Sequence, residues 1–150
     1  MNYKVSLSGE IHSDWRDKVR EFTSLAGLDI VFYCPVTNHA ASDDCGGSIL
    51  GAEDNKFWHD HKSAKINTIR TRKCINDSDI VVVRFGEQYK QWNAAFDAGY
   101  ASALGKSIIV IHNEDHQHAL KEVNAAAVAV ASNQAQVVRI LKYVLSGSLK

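Results

Sequence analysis

The sequence has one proline, Pro35, in 150 residues, so no proline-rich linker divides it. A single domain over 1–150 is expected, large enough to bury a core without disulfides or a structural metal. Cysteines are few and odd in number: Cys34, Cys45 and Cys74 lie far apart with no C-x-x-C spacing. That pattern excludes a disulfide framework and fits reduced thiols. No charge of one sign dominates, since 17 Lys+Arg face 17 Asp+Glu. A chain that grips DNA or RNA through many phosphates carries a basic surplus, so no nucleic-acid polymer is expected as a partner. A polybasic membrane anchor is excluded on the same ground. Long apolar runs are missing too. The longest small-apolar stretch, Ala125 to Ala131, spans seven residues, against the roughly 18 of a membrane helix. The start MNYKVSLSGE holds one Lys and no apolar core, unlike a secretory leader. No membrane association and a cytoplasmic location are therefore expected. What is present, 45% hydrophobic and 23% charged residues, is ordinary globular composition.

Apolar runs alternate with helical patterns. Val5 to Leu7 reads as a strand ending at Ser8-Gly9. Over Asp14 to Ala26, the residues Trp15, Val19, Phe22 and Ala26 share one face of a 3.6 period. Ser13 stands where an N-cap belongs and Gly27 where a C-cap belongs. Ile30 to Tyr33 is a second strand. Cys34 to Lys56, with Gly46-Gly47 and Gly51, reads as a long polar loop, and such loops are often functional. Lys62 to Ile75 predicts a helix. Asp79 to Phe85 is almost continuously apolar, as a central parallel strand is. A helix over Trp92 to Leu104, ended by Gly105, precedes a strand at Ser107 to Ile111. A short helix at Leu120 to Asn124, a strand at Ala127 to Val130 and a helix at Gln134 to Leu145 complete the chain.

Five strands separated by helices predict an α/β fold: a five-stranded, mainly parallel sheet with helices on both faces, in three layers. If the strand order is 2-1-3-4-5, the connections of strands 1 and 3 leave in opposite directions. The crevice at their carboxyl ends is then the ligand site. Attention falls on Gly9-Glu10 after strand 1 and on Gly86-Glu87 through Asp97 after strand 3.

Several chemistries are excluded at that crevice. There is no GxxxxGK[ST] loop, no GxGxxG after a strand and no GxSxG elbow. The first loop, LSGEIHSDW, lacks the Ser/Thr-rich run a flavin phosphate needs. Strand 3 ends Arg84-Phe85-Gly86, where a phospho-accepting receiver needs an Asp. The pairs His59-x-His61 and His116-x-His118 have i, i+2 spacing, which converges poorly on a helix face, so no metal is expected. No cofactor is expected either. Asp97, between Phe96 and Ala98, lies about five residues into a helix. A carboxylate held there by a rigid element suits a nucleophile or general base. The alternative is a structural Asp bonded to backbone or to Arg16 or Arg84.

Phe96-Asp97-Ala98-Gly99-Tyr100-Ala101, then Gly105-Lys106 and a strand, resembles the active-site helix of the nucleoside 2-deoxyribosyltransferase superfamily. That helix reads M-E-L-G-Y-A before Gly-Lys. Ser78-Asp79 leading into IVVV, the start VSLSGEIHSDWR, and the segments NHAASDD, INTIRT and GEQYKQWN extend the likeness to roughly residues 3 to 145. Within the superfamily the chain is similar to the YtoQ group. The resemblance implies a flavodoxin- or Rossmann-like fold, cleavage of the base–sugar bond of a small nucleoside or nucleotide, and a homo-oligomer. It implies Asp97 as the nucleophile that forms a glycosyl-enzyme intermediate.

Some positions depart from the superfamily's pattern. Asp97 is one methylene shorter than the family's Glu, and a shift of ~1 Å at a reacting centre can cost ~10²-fold. Eight residues before Asp79, where superfamily transferases carry an Asp, stands Thr71, with Asn67 one turn earlier as a polar replacement. Strand 1 offers no aromatic hydroxyl. Other polar groups reach the crevice. Glu10 is a candidate ribose-hydroxyl acceptor or a backbone tie. Glu87 is a leaving-group acid, a sugar-hydroxyl acceptor or a solvated carboxylate. Asn93, one turn before Asp97, either orients it or belongs to the cap. Trp92 and Tyr89 either stack on a base or pack. The departures keep a second function open, a non-catalytic module that binds a nucleotide-like ligand. The cations Lys62, Lys65, Arg70, Arg72 and Lys73 form a run that faces a phosphate, an acidic neighbour or solvent.

Overall fold

A computed structural model describes residues 2–149. The Val-rich run Ile80–Arg84 is the middle strand, β3. Around it lie β1 (Tyr3–Gly9), β2 (Ile30–Tyr33), β4 (Ser107–Ile111) and β5 (Ala129–Ala131). The order is β2-β1-β3-β4-β5, and all four pairings are parallel. The helices are α1 (Trp15–Leu25), α2 (His39–Leu50), α3 (Lys56–Asp77), α4 (Trp92–Ala103), α5 (Lys121–Ala126) and α6 (Gln134–Ser146), with a 3₁₀ turn at Glu114–His116. Among the described residues no helix is long and apolar enough to cross a membrane.

Alternation along the strands divides the core in two. On one face Val5, Leu7, Val82 and Ile109 meet Trp15 and Val19 of α1 and Val137 and Leu141 of α6. On the other, Val81, Val83, Ile108 and Val110 meet Ala94, Ala98 and Ala101 of α4 and Ile75 of α3. The apolar α1 stripe read from sequence is the stripe that packs, and Trp15 and Val19 are fully buried. Alanines on α4 let that helix lie close to the sheet, which brings Asp97 down onto β1. The connections from β1 and β3 run to opposite faces, so the crevice forms between them.

The structure corrects the reading of Cys34 to Lys56 as loop, because α2 fills its middle. Asn38 caps α2 by accepting from the Ala41 amide at 2.9 Å. Gly46 is there for contact rather than for a turn. A Cβ at Gly46 would stand 2.5 Å from Lys62 Cβ, so the glycine lets α2 and α3 touch. Helix α3 begins at Lys56, six residues before the expected start, because Asn55 caps it. Ser13 is not an N-cap. Asp14 holds that position without a side-chain bond, and the Ser13 hydroxyl donates to Glu10 instead. Strand β5 sits at Ala129–Ala131, shifted from the expected Ala127 to Val130.

Gly9 makes the exit from β1 possible. Its φ is +107°, and a Cβ there would lie 2.1 Å from the Arg84 carbonyl oxygen. Gly27 also has a left-handed φ, +67°, but open space around its missing Cβ. Gly27→Ala is expected to cost about 1 kcal/mol, the ordinary left-handed penalty. Gly9→Ala is expected to cost several times more, because β1 and β3 must part as well. Urea unfolding of the two variants checks the ranking; equal losses would refute the steric account.

Candidate active site

The floor of the crevice is β1. Towards α1 it presents Val5 and Leu7, and on the opposite face Ser6 and Ser8, both buried. Buried hydroxyls on an apolar strand need partners. Ser8 finds one in Asp97, donating its Oγ–H to Oδ2 at 2.5 Å. Burial pushes the Asp97 carboxyl above the ordinary aspartate range, while the Ser8 bond and the positive charge of Arg16 act against that rise. Asp97 is thus a half-buried carboxylate with a single hydrogen-bond donor, at the carboxyl end of β1.

Arg16 organises the loop above it. The side chain is buried, and its guanidinium donates through Nε to the Leu7 carbonyl at 2.9 Å, through Nη1 to that of Glu10 at 2.6 Å and through Nη2 to that of Gly9 at 3.0 Å. Burial lowers its pKa to about 10, with Cys34 and Glu10 among the opposing influences. It therefore stays charged at neutral pH. Trp15 Nε1 donates to the same Glu10 carbonyl at 2.9 Å.

Glu10 faces its own loop. Its carboxylate accepts from the His12 amide at 2.7 Å, the Ser13 amide at 3.1 Å and the Ser13 hydroxyl. It also pairs with Arg84 Nη1 at 2.6 Å. Burial, the largest single influence, raises its pKa, but the Ser13 and His12 bonds and Arg84 together hold it below the usual value. Of the two roles open to Glu10 from sequence, the structure shows the backbone tie. Glu87 lies 3.5 Å from Arg84 Nη2 with its side chain 60% exposed. Gly86 sits against this cluster, where a Cβ would come 3.0 Å from Glu10 Cγ. The Gly86 amide donates to Gln91 Oε1 at 2.6 Å.

Gly9, Glu10, Gly86 and Glu87 thus converge around Arg84, and Asp97 adjoins them through Ser8. Trp92 and Asn93 stand apart, exposed at the start of α4. Among the described residues the Asn93 side chain shows no hydrogen bond to Asp97, which Ser8 holds instead. Asn67 is spent elsewhere, binding the Ser42 carbonyl of α2 at 2.9 Å. Ser8 and Arg16 were the groups sequence reasoning undervalued. The available signal was a Ser-x-Ser alternation inside an apolar strand. Among the described residues no group of three or more His, Cys, Asp or Glu side chains is placed to hold a metal ion. The cationic run on α3 is largely exposed, Lys65 and Arg72 included, and three of its members have polar partners. Lys62 pairs with Glu53 at 2.6 Å, Lys73 pairs with Asp77, and Arg70 Nε donates to the Cys34 carbonyl at 3.0 Å.

Comparison with known proteins agrees with this geometry. Among solved structures, a conserved protein from Enterococcus faecalis V583 superposes with a TM-score of 0.66 at 16% identity, over 96% of this chain and 99% of that one. A 2-deoxyribosyltransferase from Bacillus psychrosaccharolyticus gives 0.55 at 16% identity, over 90% of each chain. The CMP N-glycosidase BcmB of Clostridium botulinum gives 0.52 at 14% identity, over 93% of this chain and 98% of that one. The fold is therefore the α/β fold shared with nucleoside deoxyribosyltransferase-like proteins. The family model described as "Nucleoside 2-deoxyribosyltransferase YtoQ" matches residues 6–145, and the chain belongs to that family. The protein YtoQ of Bacillus subtilis (strain 168), described as uncharacterized, is 42% identical over 143 residues, 95% of this chain and 97% of that one.

The Ser8–Asp97 bond has a measurable consequence. A carboxyl whose folded pKa is raised binds its proton more tightly in the folded state. Its contribution to stability is complete below the unfolded carboxyl pKa and is lost as pH rises through the folded value. Ser8→Ala removes a donor that favours the ionised form, so Asp97 is expected to titrate at still higher pH. Stability is expected to fall by roughly 1–3 kcal/mol near neutrality and by less in acid. Carbon-13 carboxyl shifts and urea unfolding between about pH 4 and about pH 8 check both. A lower Asp97 titration midpoint in the variant would contradict the assignment.

Proposed function

We propose that this protein acts on the base–sugar bond of a small nucleoside or nucleotide, as an N-glycosyl transferase or hydrolase, with Asp97 as the nucleophile. The observation that carries this reading is the placement of Asp97: a half-buried carboxylate on a rigid helix, raised in pKa, aimed by a single serine at the carboxyl end of β1. Membership of the family and the fold shared with a 2-deoxyribosyltransferase and a CMP N-glycosidase support it.

The steps follow from the groups present. The ionised Asp97 oxygen attacks the anomeric carbon, and the bond from that carbon to the base nitrogen breaks with its electron pair leaving on the base. The Ser8 hydroxyl keeps Oδ2 in place, which holds the other oxygen towards the sugar. A second base, or water, then takes the sugar and frees Asp97. Glu87, exposed and 3.5 Å from Arg84 Nη2, serves in this reading as the acid that protonates the leaving base. Glu10 and Arg84 brace the loops that flank the sugar, and Trp92 and Asn93 line the outer rim. This reading requires the backbone of β1 and α4 to take up the missing methylene, and the small alanine face of α4 against the sheet is compatible with that.

The reading includes a single domain over 1–150, a cytoplasmic protein without cofactor, and assembly into a homo-oligomer. Exposed Ile49, Leu50, Phe57 and Trp58 on α2 and α3 support the last. Asp97→Asn is expected to lower base exchange or base release from a panel of nucleosides and nucleotides by roughly 10³-fold or more, with the fold intact by circular dichroism. Chromatography reads the products. Thermal stabilisation by the same ligands without turnover in the wild type would favour the non-catalytic module, and unchanged turnover in the variant would exclude Asp97.

A further inference from the structure

Three aromatic rings from three separate segments meet at the mouth of the crevice. His12 comes from the loop after β1, Tyr89 from the loop after β3, and His39 from the first turn of α2. The His12 and Tyr89 ring centroids are 4.8 Å apart at 46°, and those of His12 and His39 are 5.5 Å apart at 37°. All three side chains are exposed, Tyr89 at 72%. Such a cluster contributes little to the core, so core burial does not account for it.

Tyr89 carries a second sign. Its φ is +63°, and among the described residues it alone is left-handed without being glycine. A bulky residue in that region costs of order 1–3 kcal/mol, and such strain gathers at ligand clamps. The loop is held in this shape from both sides: Gln91 accepts from the Gly86 amide at 2.6 Å and donates to the Gln88 carbonyl at 2.7 Å. The other side of the cluster is equally fixed, because the His12 amide is tied to Glu10.

The rings also lie within reach of the nucleophile. Ser8, which holds Asp97, precedes His12 by four residues, and four residues of chain span at most ~14 Å. The path is shorter here, since Arg16 gathers the carbonyls of Leu7, Gly9 and Glu10 around itself. A ligand of nucleoside length bridges that gap.

We infer that His12, Tyr89 and His39 form the platform on which the nucleobase stacks. This assignment rests on the reading of the crevice as a nucleoside site. The recognition is by ring faces, which favours a flat heteroaromatic base and tolerates several of them. His12 adds one donor and one acceptor in its neutral form, while His39, whose Nδ1 lies 3.3 Å from Asp43 Oδ2, has its Nε2 left for a base edge. Two of the three residues lie outside α4 and its loop, so the base is read by elements that do not carry the nucleophile.

Free bases have no glycosidic bond, so their binding tests the platform on the wild-type protein regardless of Asp97. Adenine, hypoxanthine, cytosine and thymine are titrated while the imidazole C–H signals of the seven histidines are followed by NMR. The signals lost in His12→Ala and His39→Ala identify those two rings. At least one base is expected to move both signals and leave those of His116 and His118 in place. His12→Ala and Tyr89→Gly are each expected to weaken that base about tenfold. Neither variant is expected to lower the melting temperature, since both side chains are exposed and the glycine relieves the strained φ. Base binding that leaves His12 and His39 unmoved, equal affinity in both variants, or no binding of any base would overturn the platform. If the base moves both rings but Asp97→Asn has no effect on turnover, the platform stands and the nucleophile assignment falls.

Discussion

The crevice depends on one buried charge. Arg16 sits in the interior and makes three hydrogen bonds to carbonyls of a single loop. Charge-assisted bonds of this kind are worth more than neutral ones, and removing the guanidinium would strip a charged donor from three carbonyl groups at once, leaving that of Glu10 with Trp15 Nε1 alone. The planar fork of arginine matches three diverging carbonyls, and a lysine ammonium does not. By fixing the path of residues 7–10 it fixes where β1 ends, where Ser8 points and where Glu10 turns. The second arginine, Arg84, then ties the loop after β1 to the loop after β3 through Glu10. Two cations and one carboxylate thus hold both lips of the crevice, while Asp97 keeps only Ser8.

That contrast separates support from chemistry. Glu10 has four donors and a lowered pKa, the condition of a carboxylate fixed as a brace. Asp97 has one donor and a raised pKa, the condition of a carboxylate whose burial outweighs its hydrogen bonding. Glu10 and the Ser8 that holds Asp97 flank Gly9 in the chain, and environment rather than residue type sets the two carboxyls apart.

Much of the fold was legible because its signals are local and periodic. The α1 stripe, the apolar β3 and β4, and the Ala-rich α4 each contain their own evidence within a short window. The strand order was not legible and entered only as a condition, because which strands are neighbours is decided by pairings far apart in the chain. Helix α2 escaped because its glycines look like breakers. Gly46 is explained by Lys62 and Ser63, sixteen and more residues away, which no local window includes. The start of α3 was missed for a smaller reason: the Asn55 cap precedes the aromatic pair Phe57-Trp58, which breaks the amphipathic pattern. At the site, the helix motif was enough to single out Asp97 as a candidate. Its partner was not legible, because Ser8 and Asp97 stand 89 residues apart and meet only through the parallel sheet. Likewise Glu10 was visible as a polar group after a strand, but its brace role needs Arg84, which comes from the neighbouring strand.

The way α2 is attached has a further consequence. Its one buried residue is Gly46, and its ties to α3 are polar: the Gly46 amide to Ser63 Oγ at 3.0 Å, Ser63 to the Asp43 carbonyl, and Asn67 to the Ser42 carbonyl. An element with so little buried apolar area belongs to the least protected cooperative unit of a protein. The sheet, covered by apolar side chains on both faces, belongs to the most protected one. His39 stands on the lightly anchored element, while Ser8, Asp97 and the Arg16 clamp stand on or against the sheet. The floor and the wall of the crevice are thus held with unequal firmness, and a change that loosens α2 leaves the floor in place.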